Sequence, residues 1–184
     1  MDYYSLLFAK KKFSEEGYEK GISKFRSMVD GSLTEVTAED LEGVMKIKQY
    51  NFTDCTKLLS VVIPDSVIEI EGRAFQRCTN LTSVILPNSL RKILFQAFAY
   101  CSALANLIIP VSVTEIESNS FYMCNGLLSI TMKATTPPII QLQSFNQTNN
   151  CPIYVPAESV QAYKTATNWS ALASRIFPIP EEGV

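Results

Sequence analysis

Histidine is absent from this chain of 184 residues. That removes the commonest general base, a common metal ligand and the side chain that switches charge near neutral pH. A Ser-His or Cys-His nucleophile cannot be assembled from these residues alone. Nor does the sequence contain a Gly-rich phosphate loop, a His-Glu-x-x-His, a Cys-x-x-Cys or a nucleophile elbow. Without these constellations we expect no catalysis, no cofactor and no metal. The net charge is only −2, which makes no electrostatic case for nucleic acid or an acidic membrane surface. The one basic cluster, Lys10-Lys11-Lys12, reads as solvated surface. No apolar run approaches the ~18–20 residues that span a bilayer, so membrane insertion is not expected. The opening Met1–Lys11 has no positive region ahead of its short apolar part. If Met1 is the native start, no classical secretion signal is encoded.

What the chain does contain is a 23-residue period. Cys55, Cys78, Cys101 and Cys124 are each 23 residues apart. Phe52, Phe75, Phe98 and Phe121 stand three before them, and Leu58, Leu81, Leu104 and Leu127 three after. Val61, Val84, Leu107 and Ile130 follow, then Ile63, Leu86, Ile109 and Met132, and prolines close three units at Pro64, Pro87 and Pro110. A fixed period of this size marks a solenoid, whose units bury their apolar faces only by stacking. One thiol per unit, in phase with Phe and Leu, is a core column in which cysteine acts as a small hydrophobe. A disulfide within the ladder is the minor alternative. Cys151 falls out of phase and is expected to be the more exposed thiol.

The unit from Ser66 to Pro87 predicts two short strands, Val67–Ile70 and Leu81–Leu86. They are joined through Gly72 and a compact helical or 3₁₀ corner at Ala74–Cys78. Upstream, Ser14 caps an amphipathic helix over Glu15–Val29, with Tyr18, Ile22, Phe25 and Val29 on one stripe. That helix serves either as a cap on the first repeat or as a contact for a partner or a homo-oligomer. Ser32–Val36 reads as a strand, and Thr37–Asp40 as an N-cap and acidic first turn. Downstream, Ile153–Val155 is a strand. Pro156 opens a helix whose apolar stripe continues through Trp169, Leu172 and Ile176. Three parts are expected: 1–46 a leader, helix and cap; 47–133 about four repeats; 134–184 a degenerate repeat and capping helix.

The residues Pro64-Asp65-Ser66-Val67, Ile70, Ala74-Phe75, Cys78, Leu81, Val84 and Pro87 together resemble the BspA-type leucine-rich repeat. Ala97-Phe98, Cys101 and Leu104 repeat the pattern, as do Phe121, Cys124 and Leu127. Asn51-Phe52, Ser120-Phe121 and Lys133 depart from it, in the edge units where departures belong. The tail, Val-Pro-Ala-Glu-Ser-Val through Trp-Ser, is similar to the closing segment of gut-bacterial members. The resemblance implies an α/β solenoid of 23-residue leucine-rich units, with short parallel strands and helical caps at both ends. It also implies surface adhesion and interaction with proteins or matrix. The first residues, Tyr-Tyr-x-Leu-Leu with the Val29–Thr37 stretch, resemble leaders of gut phage or prophage tail-associated proteins. That likeness implies a virion-borne receptor-binding or structural role.

The same frame locates a candidate surface. Between the inward columns lie two others, Ser60, Ser83, Asn106 and Ser129, and Val62, Ile85, Ile108 and Thr131. The first is small and polar, the second mostly β-branched and apolar. They read either as ordinary strand propensity or as a shallow extended face for a protein or glycan on a cell surface. Three functional readings follow: a virion-borne recognition module, a bacterial surface adhesin, and a scaffold with no ligand. Glu69, Lys92 and Glu115 share one more column and predict an alternating surface ladder that fixes register.

Overall fold

The computed structural model describes residues 32–180; the expected Glu15–Val29 helix and the leader lie outside the described residues. Five successive coils each contribute one strand to each of two walls, and two more strands extend the first wall. On the first wall β1 (Glu35–Val36), β3 (Ser60–Val62) and β5 (Ser83–Ile85) form one parallel sheet. On the same wall β7 (Asn106–Ile109), β9 (Ser129–Met132), β11 (Ile153–Val155) and β12 (Ile176–Pro178) form another. The second wall is a five-stranded parallel sheet of two-residue strands: β2 (Lys46–Ile47), β4 (Glu69–Ile70), β6 (Lys92–Ile93), β8 (Glu115–Ile116) and β10 (Ile139–Ile140). The register explains why the columns are so regular. Ser60 pairs with Ser83, Glu69 with Lys92 and Lys92 with Glu115, so one 23-residue period brings like positions face to face. Parallel pairing also runs beyond residues 47–133 on both sides, Glu35 with Ser60 and Ile176 with Ile153.

The inward columns fill the space between the walls. Phe52, Phe75, Phe98, Phe121 and Phe145 stack nearly parallel, with centroids 4.9, 5.1, 5.4 and 5.5 Å apart. Trp169 ends the row 5.9 Å beyond Phe145, tilted by 40°. Offset stacking of this kind adds to the area each ring buries. Beside the rings, the thiols of Cys78, Cys101 and Cys124 each donate to the phenylalanine carbonyl of the preceding unit at 3.1–3.2 Å. A thiol suits this column because it fills a methyl-sized gap and still meets a buried acceptor. Ser120 replaces the alanine of Ala74 and Ala97 without an orphaned hydroxyl, since its Oγ donates to the Glu117 carbonyl at 2.6 Å.

The corner is not the helical turn expected at Ala74–Cys78. Two residues four apart take left-handed backbone in unit after unit: Tyr50 and Asp54, Arg73 and Arg77, Gln96 and Tyr100, Asn119 and Met123, Gln143 and Gln147. Left-handed backbone costs about 1–2 kcal/mol for a residue with a Cβ. It is held because it aims alternate corner N–H groups at the next unit. Phe75 N–H donates to Ala97, Arg77 to Ala99, Phe98 to Ser120 and Tyr100 to Tyr122, at 2.7–2.8 Å. A helical corner would spend these donors inside its own unit and leave the coils unjoined.

Three further expectations are corrected. Cys151 is buried, not exposed. The spacing from Phe121 to Phe145 is 24, which puts Thr148 in the cysteine column and Cys151 in the leucine column. Ile176 is not on a helix but starts β12, which extends the sheet beyond β11. Thr37 does not cap a helix through its own side chain. Its N–H and hydroxyl both donate to Asp40 Oδ2, and the helix is a single 3₁₀ turn, Glu39–Leu41, ended by left-handed Gly43. The C-terminal cap comprises a 3₁₀ turn (Ala157–Ser159), α1 (Val160–Thr165), a 3₁₀ helix (Trp169–Arg175) and β12.

One glycine is required by close approach. A Cβ on Gly126 would stand 2.2 Å from the Ser102 carbonyl oxygen, a backbone atom that cannot rotate away. Gly126→Ala should therefore cost about 1–3 kcal/mol by forcing adjacent coils apart. Urea denaturation checks this, with Gly126→Ser expected to be no better. A stability unchanged by either variant would mean the coils are less tightly stacked.

Candidate binding surface

All eight candidate residues stand on the outer face of the first wall. Ser83, Ile85, Asn106 and Ile108 are exposed, while Ser60, Val62, Ser129 and Thr131 are half-buried. The structure brings them together in two straight rows, because Ser60 pairs with Ser83 and Val62 with Ile85. Asn106 likewise pairs with Ser129 and Ile108 with Thr131. Ser129 Oγ donates to Asn106 Oδ1 at 2.9 Å across the strands. The hydrogen-bonded ladder is interrupted between β5 and β7, so the rows cross from one sheet to the next.

The apolar row is longer than expected. Thr131 pairs with Tyr154, and Tyr154 with Phe177. Val62 and Ile85 on one sheet, and Ile108, Thr131, Tyr154 and Phe177 on the next, therefore follow one 23-residue step. Ile85 is 56% exposed, Ile108 55% and Phe177 46%. The signal for the last two was the period itself, since 154 and 177 follow 131 at the same step of 23. The 24-residue step at Phe145 hides it.

The other wall carries charge. Lys46 Nζ lies 3.1 Å from Glu69, and Lys92 Nζ 2.8 Å from Glu115, with Glu69 and Lys92 paired in register between them. This is the expected ladder, prolonged by Lys46. The hydrogen bond and charge of Glu115 hold the Lys92 ammonium above its usual pKa. In the next column Glu71 meets Lys48 at 2.9 Å and accepts from the Gln49 N–H at 3.0 Å. Partial burial pushes its carboxyl up, but Lys48, that N–H and Lys46 outweigh it and hold the group below the usual range. Exposed pairs of this sort contribute little each, and the ladder follows the register of the strands that carry it.

At the corner edge, the Arg73 guanidinium lies between the rings of Tyr50 and Phe95, 5.8 and 5.5 Å from their centroids. It also donates to Tyr50 Oη at 3.0 Å and Gln96 Oε1 at 2.9 Å. All five thiols are free and buried. Burial, with Cys78 and Asp54 nearby, pushes Cys55 up to about 12. Burial holds Cys101 well above the ordinary thiol value, and it raises Cys151 against the pull of Arg175. Among the described residues no group of His, Cys, Asp and Glu is arranged to hold a metal ion, and no helix is long and apolar enough to cross a membrane.

These columns are those of a described repeat. The BspA type leucine rich repeat region matches residues 23–163 in six copies. The chain belongs to the BspA-type leucine-rich-repeat family. Six copies, against about four expected, fit the pairing of β1 and β11 with their neighbours outside 47–133. No curated protein matches the chain. Among solved structures, it is similar to a leucine rich cell surface protein from Faecalibacterium prausnitzii A2-165, with a TM-score of 0.58 and 24% identity over 82% of this chain. The BspA-type chain spans 36% of that protein's length. A leucine-rich repeat protein from Bacteroides ovatus ATCC 8483 is also found, at 18% identity and a TM-score of 0.40, covering 66% of this chain and 47% of that one.

Proposed function

We propose that this BspA-type chain is a non-catalytic recognition module that engages a protein at a cell surface through the outer face of its first wall. The observation that carries the reading is the six-residue column from Val62 to Phe177, apolar or aromatic at all but Thr131, with Ile85, Ile108 and Phe177 about half exposed. A row of exposed apolar side chains along a solenoid wall is costly to leave in water and marks an interaction surface. The flanking Ser60, Ser83, Asn106 and Ser129 supply short hydrogen-bonding groups that let a partner backbone approach. Solenoids present such extended faces without any catalytic constellation. A flat row of β-branched and aromatic side chains suits a protein partner.

An array of cell-surface and matrix proteins, probed with the labelled chain, tests this. Ile85→Glu/Ile108→Glu should abolish the binding that the wild type shows, with the melting temperature unchanged because both side chains already face water. Ser83→Lys/Asn106→Lys should do the same. Retention of binding by both double variants would remove the face from consideration, and a blank array would favour a scaffold without a ligand.

The cell-surface setting is favoured by the description of the Faecalibacterium prausnitzii protein as a cell surface protein. A virion-borne setting, with the leader as attachment or oligomerisation point, is favoured by the likeness of residues 1–37 to tail-associated leaders. Neighbouring genes separate them: export and anchoring genes accompany an adhesin, tail genes a virion protein.

A further inference from the structure

The last corner of the solenoid faces a cap instead of another repeat, and the cap completes only half of the hydrogen bonding that a repeat would. In each preceding coil the next unit supplies donors to the second-wall carbonyls. Ile68 N–H bonds to Met45 O, Glu71 N–H to Ile47 O, Ile139 N–H to Thr114 O and Gln141 N–H to Ile116 O. At the end of the wall the corresponding carbonyls, Pro138 and Ile140, accept instead from two cap side chains, Trp169 Nε1 at 2.8 Å and Asn168 Nδ2 at 2.7 Å. The acceptors are thus satisfied.

The donors are not. Phe121 and Met123 donate to Ser144 and Asn146, as Phe98 and Tyr100 do to the unit after them. The equivalent N–H groups in the last corner belong to Phe145 and Gln147, and among the described residues neither has an acceptor. Gln143 and Gln147 repeat the left-handed backbone of the earlier corners, so these N–H groups aim toward the cap as the others aim toward the next repeat. Between the corner and the Trp169–Arg175 helix lies a cleft of about 570 Å3. That volume is within the ~300–1,000 Å3 of small-molecule sites.

The lining specifies the chemistry. Gln143, Asn146, Gln147 and Asn150 line the cleft, and none of their side-chain amides is used in a hydrogen bond among the described residues. Leu172 and the largely exposed Leu142 supply apolar contact, Arg175 also lines the cleft, and no carboxylate does. Amides donate and accept, which matches hydroxyl groups that do the same. The unpaired backbone donors ask for a carbonyl oxygen where the absent repeat would have placed one.

We propose that this cleft binds saccharides containing N-acetylhexosamine. The acetamido carbonyl takes the position of the missing repeat carbonyl and accepts from the Phe145 or Gln147 N–H. The acetamido methyl packs on Leu142 or Leu172, and the ring hydroxyls bond the four amides. This site is separate from the strand face, and its occupancy does not depend on that reading.

The experiment is an NMR titration of the 15N-labelled full chain at millimolar ligand, with N,N′-diacetylchitobiose in one arm and cellobiose in the other. Both are β-1,4-linked disaccharides, and they differ in the acetamido groups. Chitobiose should shift the Phe145 and Gln147 backbone amides and the Gln143 and Asn150 side-chain amides, whereas cellobiose should leave them in place. Asn150→Gly suits the left-handed backbone there and removes one amide, so it should weaken chitobiose binding about tenfold. Ala171→Trp, on the exposed side of the cap helix, should block the cleft without touching the core. Ile85→Glu/Ile108→Glu should bind chitobiose as the wild type does. The proposal is overturned if neither sugar moves these signals, if both move them equally, or if Ala171→Trp leaves the chitobiose affinity unchanged.

Discussion

Phe98→Ala should lower the free energy of unfolding by about 3–5 kcal/mol, read as a fall in the denaturation midpoint at unchanged slope. Phe98 is fully buried at the middle of the ring column, 5.1 Å from Phe75 and 5.4 Å from Phe121. Truncation removes the ring's transfer free energy and leaves a void bounded by two other rings. Those neighbours cannot close on it, because the coils are spaced by parallel pairing on both walls and by the corner bonds of Phe75 to Ala97 and Phe98 to Ser120. A repeat array draws its stability from each unit and from the interfaces between neighbours. A central ring belongs to two interfaces, so the substitution there weakens both. A loss below about 1 kcal/mol at Phe98 would mean that the rings do not form the load path of the core.

The inward columns were legible because one period equals one coil with no slip in register. Residues 23 apart then meet the same neighbours, and the pattern of Phe, Cys, Leu and Val is the packing itself. The eight outward residues were placed by the same ruler, and they do lie on one face. Tyr154 and Phe177 were missed only because the extra residue before Phe145 breaks the count, although the strands resume it. The corners were not legible in any comparable way. Left-handed backbone is ordinarily announced by Gly or Asn. Here it falls on Tyr50, Arg73, Arg77 and Gln96, which carry no such signal. The conformation comes from the bonds each corner makes with the next coil, a tertiary effect absent from local sequence. Cys151 shows the converse error. Its spacing from Cys124 is irregular, but the layer it enters is the leucine layer, and a small apolar side chain fits there equally well. The terminal cleft could not be read at all, since it exists through the absence of a next repeat and depends on how the cap meets the last corner.

The buried thiols make stability fall in alkali, and Cys55 isolates the effect. Burial first, then Cys78 and Asp54 beside it, push this thiol from 9.0 up to about 12 in the folded chain. In the unfolded chain it ionises near the ordinary value of about 8.5–9. Between those two values the unfolded state has lost a proton that the folded state keeps. Stability is therefore fully present below about pH 9 and is lost as pH rises toward about 12. The interval between 9.0 and about 12 is worth about 4 kcal/mol when complete. Cys101 and Cys151 are displaced upward as well, so they act in the same direction. Loss of the Lys92 ammonium proton weakens the Lys92–Glu115 pair in strong alkali as well, so the wild-type slope alone does not identify the thiols. Cys55→Ala does. It should be less stable than the wild type at pH 7, where it leaves a small void, and its stability should decline less steeply between pH 9 and 11. The two curves should converge as pH rises. Parallel urea-denaturation curves for wild type and Cys55→Ala across that window would show that the thiol ionises as readily folded as unfolded, and that the cysteine column is open to water.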